Sequence, residues 1–239
     1  MKAIICAAGQ GKRLRPLTDD RPKPLIEVGG KTILEYMLSN IWRCGIKEAV
    51  IVLGYEPQKV IEKIGSKHNG CRIKYYINPQ YQTTDNMFSL WQTRSEIDEG
   101  VVFLNGDIIF HRRILESLVN SSFPNAVAVD DTIALVDDSM KVRTVDGKIE
   151  AISKKVADAN GWAVGIYKFS PEGARQYYEE VRKLVEGGSK GASFVKPVEL
   201  LSQYSPVHAV STNRLPWFEI DDHNDLEIAR KNIGKIFES

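Results

Sequence analysis

Through the first half of the chain, short apolar segments with the composition of β-strands alternate with segments whose apolar residues recur at helical spacing. This alternation restricts the fold more than any other feature. Strands are expected at residues 2–8, 49–53, 73–77 and 101–104. Helices are expected from residue 31 to the Cys44-Gly45 stop, from Pro57 and after Asn86. Strands that are joined by helices pair in parallel, and the helices cover both faces of the sheet. The first half therefore predicts an α/β protein with a mostly parallel sheet and helices on both faces.

The second half of the chain changes to antiparallel signals. Residues 141–154 alternate apolar and polar side chains around Asp146-Gly147, a dipeptide suited to a tight hairpin turn. The elements that follow are a strand at 163–169, a helix from Pro171, a flexible break at 186–191, a strand at 217–220 and a helix at 222–233. We predict one mixed α/β domain whose later hairpins form a small β-rich acceptor or lid region.

Charge and composition exclude several classes of protein. The chain carries 32 Lys and Arg against 31 Asp and Glu, a formal net charge of +1. Because nucleic acids and anionic membranes select for a basic excess, neither is expected as a partner. The three cysteines lack CxxC spacing, which indicates a reducing compartment, and the four scattered histidines disfavour zinc. No run approaches the roughly 18 apolar residues of a membrane span, so a cytoplasmic protein is expected.

A glycine-rich segment directly follows the first strand, where Gly9 and Gly11 precede Lys12 and Arg13. Two glycines let backbone N–H groups approach a phosphate closely, and the two cations add positive charge at the same point. The dinucleotide-binding pattern would need glycine at Leu14, and the phosphate-loop pattern has no match. On these residues alone, a structural turn and a phosphate site are equally supported.

The segments around this loop extend the pattern. AAGQGKRLRPLT at residues 7–18 is followed by RPKPL at 21–25 and GGKT at 29–32. Together they resemble the signature of the nucleotidyltransferase family that activates sugar phosphates and phosphocholine. The resemblance implies a Rossmann-like fold in one domain, residues 1–239, with a nucleotide-binding half at 1–110 and an acceptor-binding half at 111–239. It also implies a nucleoside triphosphate bound at Ala7, Ala8, Gly9, Gly11, Arg13 and Lys23.

Carboxylates follow two of the expected strands. Asp107 ends an apolar strand, where open parallel sheets bind ligands, and Glu219 and Asp221 share one face of a later strand. Taken alone, Asp107 is suited to capping a turn, and Asp222 is suited to capping the last helix. The family resemblance implies instead that Asp107 and Asp221 hold a catalytic Mg²⁺, an ion that takes a few hard oxygen ligands.

The motif T-x-N-x-x-S-L at residues 84–90 resembles the family branch that attaches CMP to phosphocholine and related compounds. The resemblance makes CTP the expected donor and places Thr84 and Asn86 at the nucleotide, although both residues also suit a helix cap. Members of the family have a lysine shortly after a strand that ends in a similar Ile-Ser sequence, here Ile152-Ser153. Lys154 is therefore expected to join Arg13 and Lys23 as a catalytic residue at the reacting phosphates.

The acceptor is predicted to carry a quaternary ammonium group, because the second half combines aromatic side chains with nearby acids. The candidate acceptor-binding residues are Asn86, Asp130, Trp162, Tyr167, Trp217 and Glu219. These aromatic side chains equally suit the core between sheet and helices. Trp162 also stands where the family more often has an acidic residue.

The expected enzyme, a monomer or homodimer, transfers CMP to phosphocholine or another small phosphomonoester and releases pyrophosphate. Two alternatives remain open on the sequence. One is uridylyl or thymidylyl transfer to a sugar 1-phosphate, and the other is a nucleotide-binding regulatory protein without turnover.

Overall fold

The computed structural model describes residues 1–97, 99–132 and 138–236, which form fourteen strands and seven α-helices. The strands are β1 Lys2–Ala7, β2 Glu27–Val28, β3 Lys31–Thr32, β4 Glu48–Leu53, β5 Lys67–His68, β6 Cys71–Ile77, β7 Val101–Asn105, β8 Ile108–Phe110, β9 Asn125–Asp130, β10 Lys141–Val145, β11 Lys148–Ser153, β12 Gly161–Phe169, β13 His208–Ser211 and β14 Trp217–Glu219. The helices are α1 Ile33–Arg43, α2 Pro57–Ile64, α3 Asn86–Trp91, α4 Arg112–Asn120, α5 Pro171–Glu186, α6 Val195–Ser202 and α7 His223–Asn232.

Ten of these strands form one twisted sheet in the order β10-β11-β13-β9-β12-β7-β1-β4-β6-β5. The four neighbouring strands β7, β1, β4 and β6 pair in parallel, as the alternation of strands and helices in the first half predicts. In the second half, β13 and β9 are parallel, whereas β12 runs antiparallel to both β7 and β9. The mixed α/β fold is therefore confirmed, and its parallel block lies in the first half.

Helices cover both faces of the sheet, so its strands are buried on both sides. Along β1, Ala3 and Ile5 face the core beneath α1, α2 and α4, while Ile4 faces the core beneath α3, α5 and α6. This two-sided burial explains why the first strands read as continuous apolar runs. No helix in the described part of the chain is long and apolar enough to span a lipid bilayer.

Local sequence signals fix several element ends. Thr32 and Glu35 form a capping box at the start of α1, in which each side chain binds the other residue's backbone N–H. Asp222 caps α7 by accepting hydrogen bonds from the backbone N–H groups of Asn224 and Asp225. The helix-cap interpretation of Asp222 is therefore confirmed, which leaves Asp221, its neighbour, free for another role.

The predicted hairpin is present as β10 and β11, and it joins the edge of the main sheet. The predicted strand at residues 217–220 is β14, which pairs with β8 in a separate two-stranded sheet. No element is predicted from the sequence between residues 105 and 140, whereas the structure has β8, α4 and β9 there. The residues of α4 that face the core, Ile114, Leu115 and Leu118, stand at helical spacing, so a local signal for this helix was present and the prediction missed it.

Candidate active site

A cavity of about 660 Å³ opens beyond the carboxyl ends of β1 and β7. Residues after these two strands line it from the first half of the chain, and residues of β11, β12 and α6 line it from the second half. A smaller cavity of about 270 Å³ shares Gly9, Arg13, Asp107 and Asp221 with it. The site lies where open parallel sheets bind ligands, as the sequence predicts for Asp107.

Two glycines allow backbone segments to approach each other closely in this site. Gly11 has a φ of +67°, and a Cβ there would lie 3.0 Å from the Cβ atom of Lys23. A Cβ at Gly106 would lie 2.4 Å from the carbonyl oxygen of Cys6, on the neighbouring strand. Glycine is thus needed in the loop after β1 to reach a left-handed conformation, and in the turn after β7 to avoid a clash.

Lys23 lies at the centre of the site and joins two carboxylates. Only 9% of this residue is exposed, and Nζ lies 2.9 Å from Asp107 Oδ2 and 2.6 Å from Asp221 Oδ1. Lys23 begins a 3₁₀ helix after the glycine-rich loop, Asp107 follows β7, and Asp221 follows β14. The structure therefore brings together three predicted site residues that are far apart in the chain.

Arg13 and Lys154 line the larger cavity and share a carboxylate. Arg13 Nη2 lies 2.7 Å from Asp221 Oδ2, and Arg13 Nη1 lies 3.6 Å from Asp138. Lys154 Nζ forms an ion pair with the same Asp138. Because 58% of the Arg13 side chain is exposed, its guanidinium can leave these carboxylates to bind an incoming anion.

The electrostatics of the site follow from burial and from this ion pairing. Burial alone would lower the pKa of Lys23, but Asp107 and Asp221 outweigh it and raise that pKa above its ordinary value. Burial alone would raise the pKa of Asp221, but Lys23 and Arg13 hold it below its ordinary value. For Glu219, burial together with Asp107 and Asp221 outweighs the opposing effect of Lys23 and Lys154 and raises its pKa to about 8. At neutral pH the site therefore holds a charged Lys23 beside an ionised Asp221.

Asp107 and Asp221 fit the requirements of a Mg²⁺ site with few protein ligands. Each places an oxygen within 3 Å of the same nitrogen, so their carboxylates converge on one cation. Asp107 Oδ1 is buried and has no hydrogen-bond partner. Among the described residues, no group of three His, Cys, Asp or Glu side chains is arranged to hold a metal. An ion here would take two protein oxygens and complete its shell with water and phosphate oxygens.

The predicted nucleotide-binding residues of the first half surround the two cavities. Ala8, Gly9, Thr84 and Asn86 line the larger cavity, and Ala7, Gly11 and Lys23 line the smaller one.

The side chains of Thr84 and Asn86 also have structural roles. Thr84 Oγ1 donates to the carbonyl oxygen of Gln80, at 2.8 Å. Asn86 Oδ1 accepts a hydrogen bond from the backbone N–H of Phe194, at 2.8 Å. Asn86 therefore ties α3 to the segment that leads into α6, and Asp85 is the residue whose side chain caps α3.

The predicted acceptor-binding residues divide into two groups. Asn86, Tyr167 and Glu219 line the larger cavity, but Asp130, Trp162 and Trp217 are not among the described residues that line it. Trp217 Nε1 donates to Asp130 Oδ2 at 2.8 Å, and the two tryptophan rings pack edge to face with centroids 5.0 Å apart. We therefore correct the prediction of an aromatic cage. Tyr167 lines the cavity, but Trp162 and Trp217 pack against each other beside it.

The larger cavity is also lined by residues that the sequence did not assign to the site, and five of them are of interest here. They are Tyr81, Asn105, Ser193, Lys196 and Glu199. Asn105 precedes the Gly106-Asp107 pair, and its Oδ1 atom is buried without a partner. A signal for Lys196 and Glu199 was available, since the apolar residues of α6, among them Val195 and Val198, leave these two on the opposite face.

The sequence profile described as Nucleotidyl transferase matches residues 2–234 of this chain. A CMP-5'-(3-aminopropyl)phosphonate synthase from Streptomyces rubellomurinus is 37% identical over 128 residues, which cover 54% of this chain and 20% of that protein. A UTP–glucose-1-phosphate uridylyltransferase from Haloferax volcanii is 34% identical over 114 residues, which cover 48% of this chain and 46% of that protein. This chain therefore matches less than two thirds of the length of either relative.

A CTP:phosphoglutamine cytidylyltransferase from Campylobacter jejuni is 25% identical over 258 residues, which cover 95% of this chain and 98% of that protein. Among solved structures, the CTP:phosphocholine cytidylyltransferase from Streptococcus pneumoniae superposes with a TM-score of 0.78 at 21% identity. That superposition covers 97% of this chain and 98% of the other, and it establishes a shared fold.

Proposed function

Because this chain belongs to the nucleotidyl transferase family, we propose that it transfers a nucleoside monophosphate from a triphosphate, CTP, to the phosphate of a small acceptor and releases pyrophosphate. The observation that carries the proposal is the Lys23 cluster, in which a buried ammonium and two carboxylates lie beside a glycine-rich loop. A cluster of this kind binds phosphate oxygens through its cations and a metal ion through its carboxylates.

The acceptor phosphate needs no general base in this reaction. A phosphomonoester has its second pKa near 6, so it is largely dianionic at pH 7. One of its oxygens attacks the α-phosphorus of the triphosphate, and the bond from that phosphorus to the β-phosphate oxygen breaks. Pyrophosphate leaves with that electron pair, and no proton transfer is required. Catalysis then depends on positioning and on stabilising the charge of the transition state.

The three cationic residues would stabilise this charge in different ways. Lys23 is buried and held by two carboxylates, so its ammonium stays in this cluster, where it would share the two carboxylates with a bound metal ion. Arg13 and Lys154 are more than half exposed and share Asp138, so they can exchange that carboxylate for phosphate oxygens. Mg²⁺ bound by Asp107 and Asp221 would further neutralise the triphosphate when present.

CTP as the donor is supported by the names of two relatives, one a CMP-aminopropylphosphonate synthase and one a CTP:phosphoglutamine cytidylyltransferase. The resemblance of residues 84–90 to the cytidylyltransferase branch points the same way. The acceptor is proposed to be a small phosphorylated compound with a cationic group, a class that includes phosphocholine. A uridylyltransferase relative keeps transfer of UMP to a sugar 1-phosphate as the second candidate.

A pyrophosphate-release assay with CTP, UTP and dTTP, each against a panel of acceptor phosphates, tests the proposal. We expect the highest kcat/KM with CTP and an aminoalcohol phosphate, and no turnover after chelation of divalent cations. The Asp107→Asn variant should be nearly inactive, whereas Asp158→Asn, at a residue outside both cavities, should match the unchanged protein. Tight nucleotide binding without turnover of any acceptor would instead support a regulatory protein.

A further inference from the structure

Helix α6 presents an ion pair to the larger cavity, formed by Lys196 and Glu199. The helix packs Val195, Val198 and Leu201 into the core, which places Lys196 and Glu199 on its other side. Lys196 Nζ lies 2.6 Å from Glu199 Oε2, and only 26% of the Glu199 side chain is exposed. A carboxylate thus lies in the wall of the substrate cavity with no role in the phosphate cluster described above.

This wall is fixed to the nucleotide-binding half by hydrogen bonds. The backbone N–H of Phe194, next to the start of α6, donates to Asn86 Oδ1 at 2.8 Å. The backbone N–H of Asp85 donates to the carbonyl oxygen of Lys190 at 3.1 Å. Both contacts join the segment before α6 to the start of α3, so Glu199 is held in a defined place relative to the cavity.

Glu199 would repel a nearby phosphate, so it can bind only hydrogen-bond donors, and among these a cation gains the most because its hydrogen bond to the carboxylate is charge-assisted. The other cations of the cavity are already engaged, since Arg13 pairs with Asp221 and Lys154 pairs with Asp138. Lys196 is half exposed and carries a long flexible side chain, so it can turn away when a stronger partner enters. The carboxylate therefore suits a cation that arrives with the acceptor.

The chemistry of the wall favours a primary ammonium over a quaternary one. A quaternary ammonium cannot donate hydrogen bonds and is bound by open aromatic faces. Tyr167 and Phe194 line the cavity but are almost fully buried and pack edge to face, with centroids 4.9 Å apart. Tyr81 is partly exposed in the same cavity, but it lies beside Gly54 and Ala8, on the side of the glycine-rich loop, and not on the wall formed by α6. A primary ammonium has three N–H donors, which a carboxylate accepts as charge-assisted hydrogen bonds.

We propose that Glu199 binds a primary ammonium group on the acceptor, so that the acceptor is a small phosphomonoester with a free amine. This inference rests on the proposed function and names the substrate class of the same site. It replaces the quaternary ammonium that the sequence predicts. It also makes Glu199 a specificity-determining residue, which selects among acceptors without taking part in phosphate transfer.

The test measures pyrophosphate release with CTP and three acceptors: phosphoethanolamine, phosphocholine and ethyl phosphate, which lacks the amine. The unchanged protein should prefer phosphoethanolamine to both of the others in kcat/KM. In Glu199→Gln, the kcat/KM for phosphoethanolamine should fall about tenfold or more relative to that for ethyl phosphate, mainly through KM. Glu199→Asp should retain part of the preference, because it keeps the negative charge.

The matched control is Glu186→Gln, which removes a carboxylate from an exposed ion pair with Arg182 on α5, outside the cavity. It should leave the ratio between the acceptors unchanged. An equal loss for phosphoethanolamine and ethyl phosphate in Glu199→Gln, or a preference of the unchanged protein for phosphocholine, overturns the assignment of Glu199. Absence of pyrophosphate with every acceptor and nucleotide overturns the proposed function itself, and this assignment with it.

Discussion

Replacing either Lys23 or Arg13 by methionine should weaken catalysis to a similar degree, but only the Lys23 change should strongly destabilise the fold. Both cations bind Asp221, and both are proposed to bind phosphate oxygens. They differ in burial, since Lys23 is 9% exposed whereas the Arg13 side chain is 58% exposed. Methionine keeps an apolar stem of similar length, so the change removes mainly the charge.

The size of each effect follows from the contacts. Removing one partner of a buried ion pair costs about 3–5 kcal/mol, because the other charge is left uncompensated. Asp107 and Asp221 are partly exposed, and Asp221 keeps Arg13, so we expect the low end, about 3 kcal/mol, for Lys23→Met. The exposed pair of Arg13 is worth about 0–1 kcal/mol. Each variant should lose about 2–4 kcal/mol of transition-state stabilisation.

Urea unfolding followed by circular dichroism gives the free energy of unfolding of both variants, and pyrophosphate release gives kcat/KM under the same buffer conditions. Equal unfolding free energies for the two variants would show that Lys23 is not a buried partner of Asp107 and Asp221. A fall in kcat/KM of less than about tenfold in both variants would contradict the assignment of these cations to the phosphates.

Three further predictions test other parts of the structure. Asp107→Asn and Asp221→Asn should each lower kcat greatly in steady-state assays while the fold remains intact, and full activity in both would refute the metal site. Burial raises the pKa of Glu96, but hydrogen bonds from neighbouring lysines and a tyrosine outweigh it and lower that pKa to about 2. The stability that this carboxylate contributes is therefore present above pH 4.5 and is lost as the pH falls towards 2. Over that range, the free energy of unfolding should fall by about 3 kcal/mol more in the unchanged protein than in Glu96→Gln. Parallel stability curves for these two proteins would contradict the shift. Gly106→Ala should lose about 1–3 kcal/mol in urea unfolding, because its Cβ would meet the backbone of β1, whereas Gly9→Ala, with open space around it, should lose almost none.

Local signals in the sequence predicted the helix starts and the strands of the parallel block, because caps and apolar runs act over a few residues. Pairing partners were not predictable in this way. The strand at 217–220 is readable from its composition, but its partner β8 lies about a hundred residues earlier in the chain. Packing across the whole fold decides which strands pair, so no local sequence pattern predicts the pairing.

In the candidate site, too, local features were predictable from the sequence and contacts between distant segments were not. Strand ends and family resemblance predicted a site at Asp107, Asp221 and Lys23, but not that the lysine contacts both carboxylates. The alternation of side chains along a strand also predicts on which face of the strand Trp162 and Trp217 lie. It does not predict which of the two faces lines a cavity. The two rings contact each other instead, and the sequence contains no signal for that choice.

The antiparallel pairing of β12 with β7 sets a rule for recombining relatives of this protein. The pairs Ile166–Leu104 and Tyr167–Phe103 join the C-terminal half to the N-terminal half within one hydrogen-bonded sheet. Separate expression of the two halves would leave unpaired strand edges, which promote aggregation. Chimaeras that exchange the C-terminal half should therefore fold only when β12 keeps its alignment with β7. New acceptor preferences in this architecture should arise more easily by single substitutions around the cavity than by exchange of whole segments.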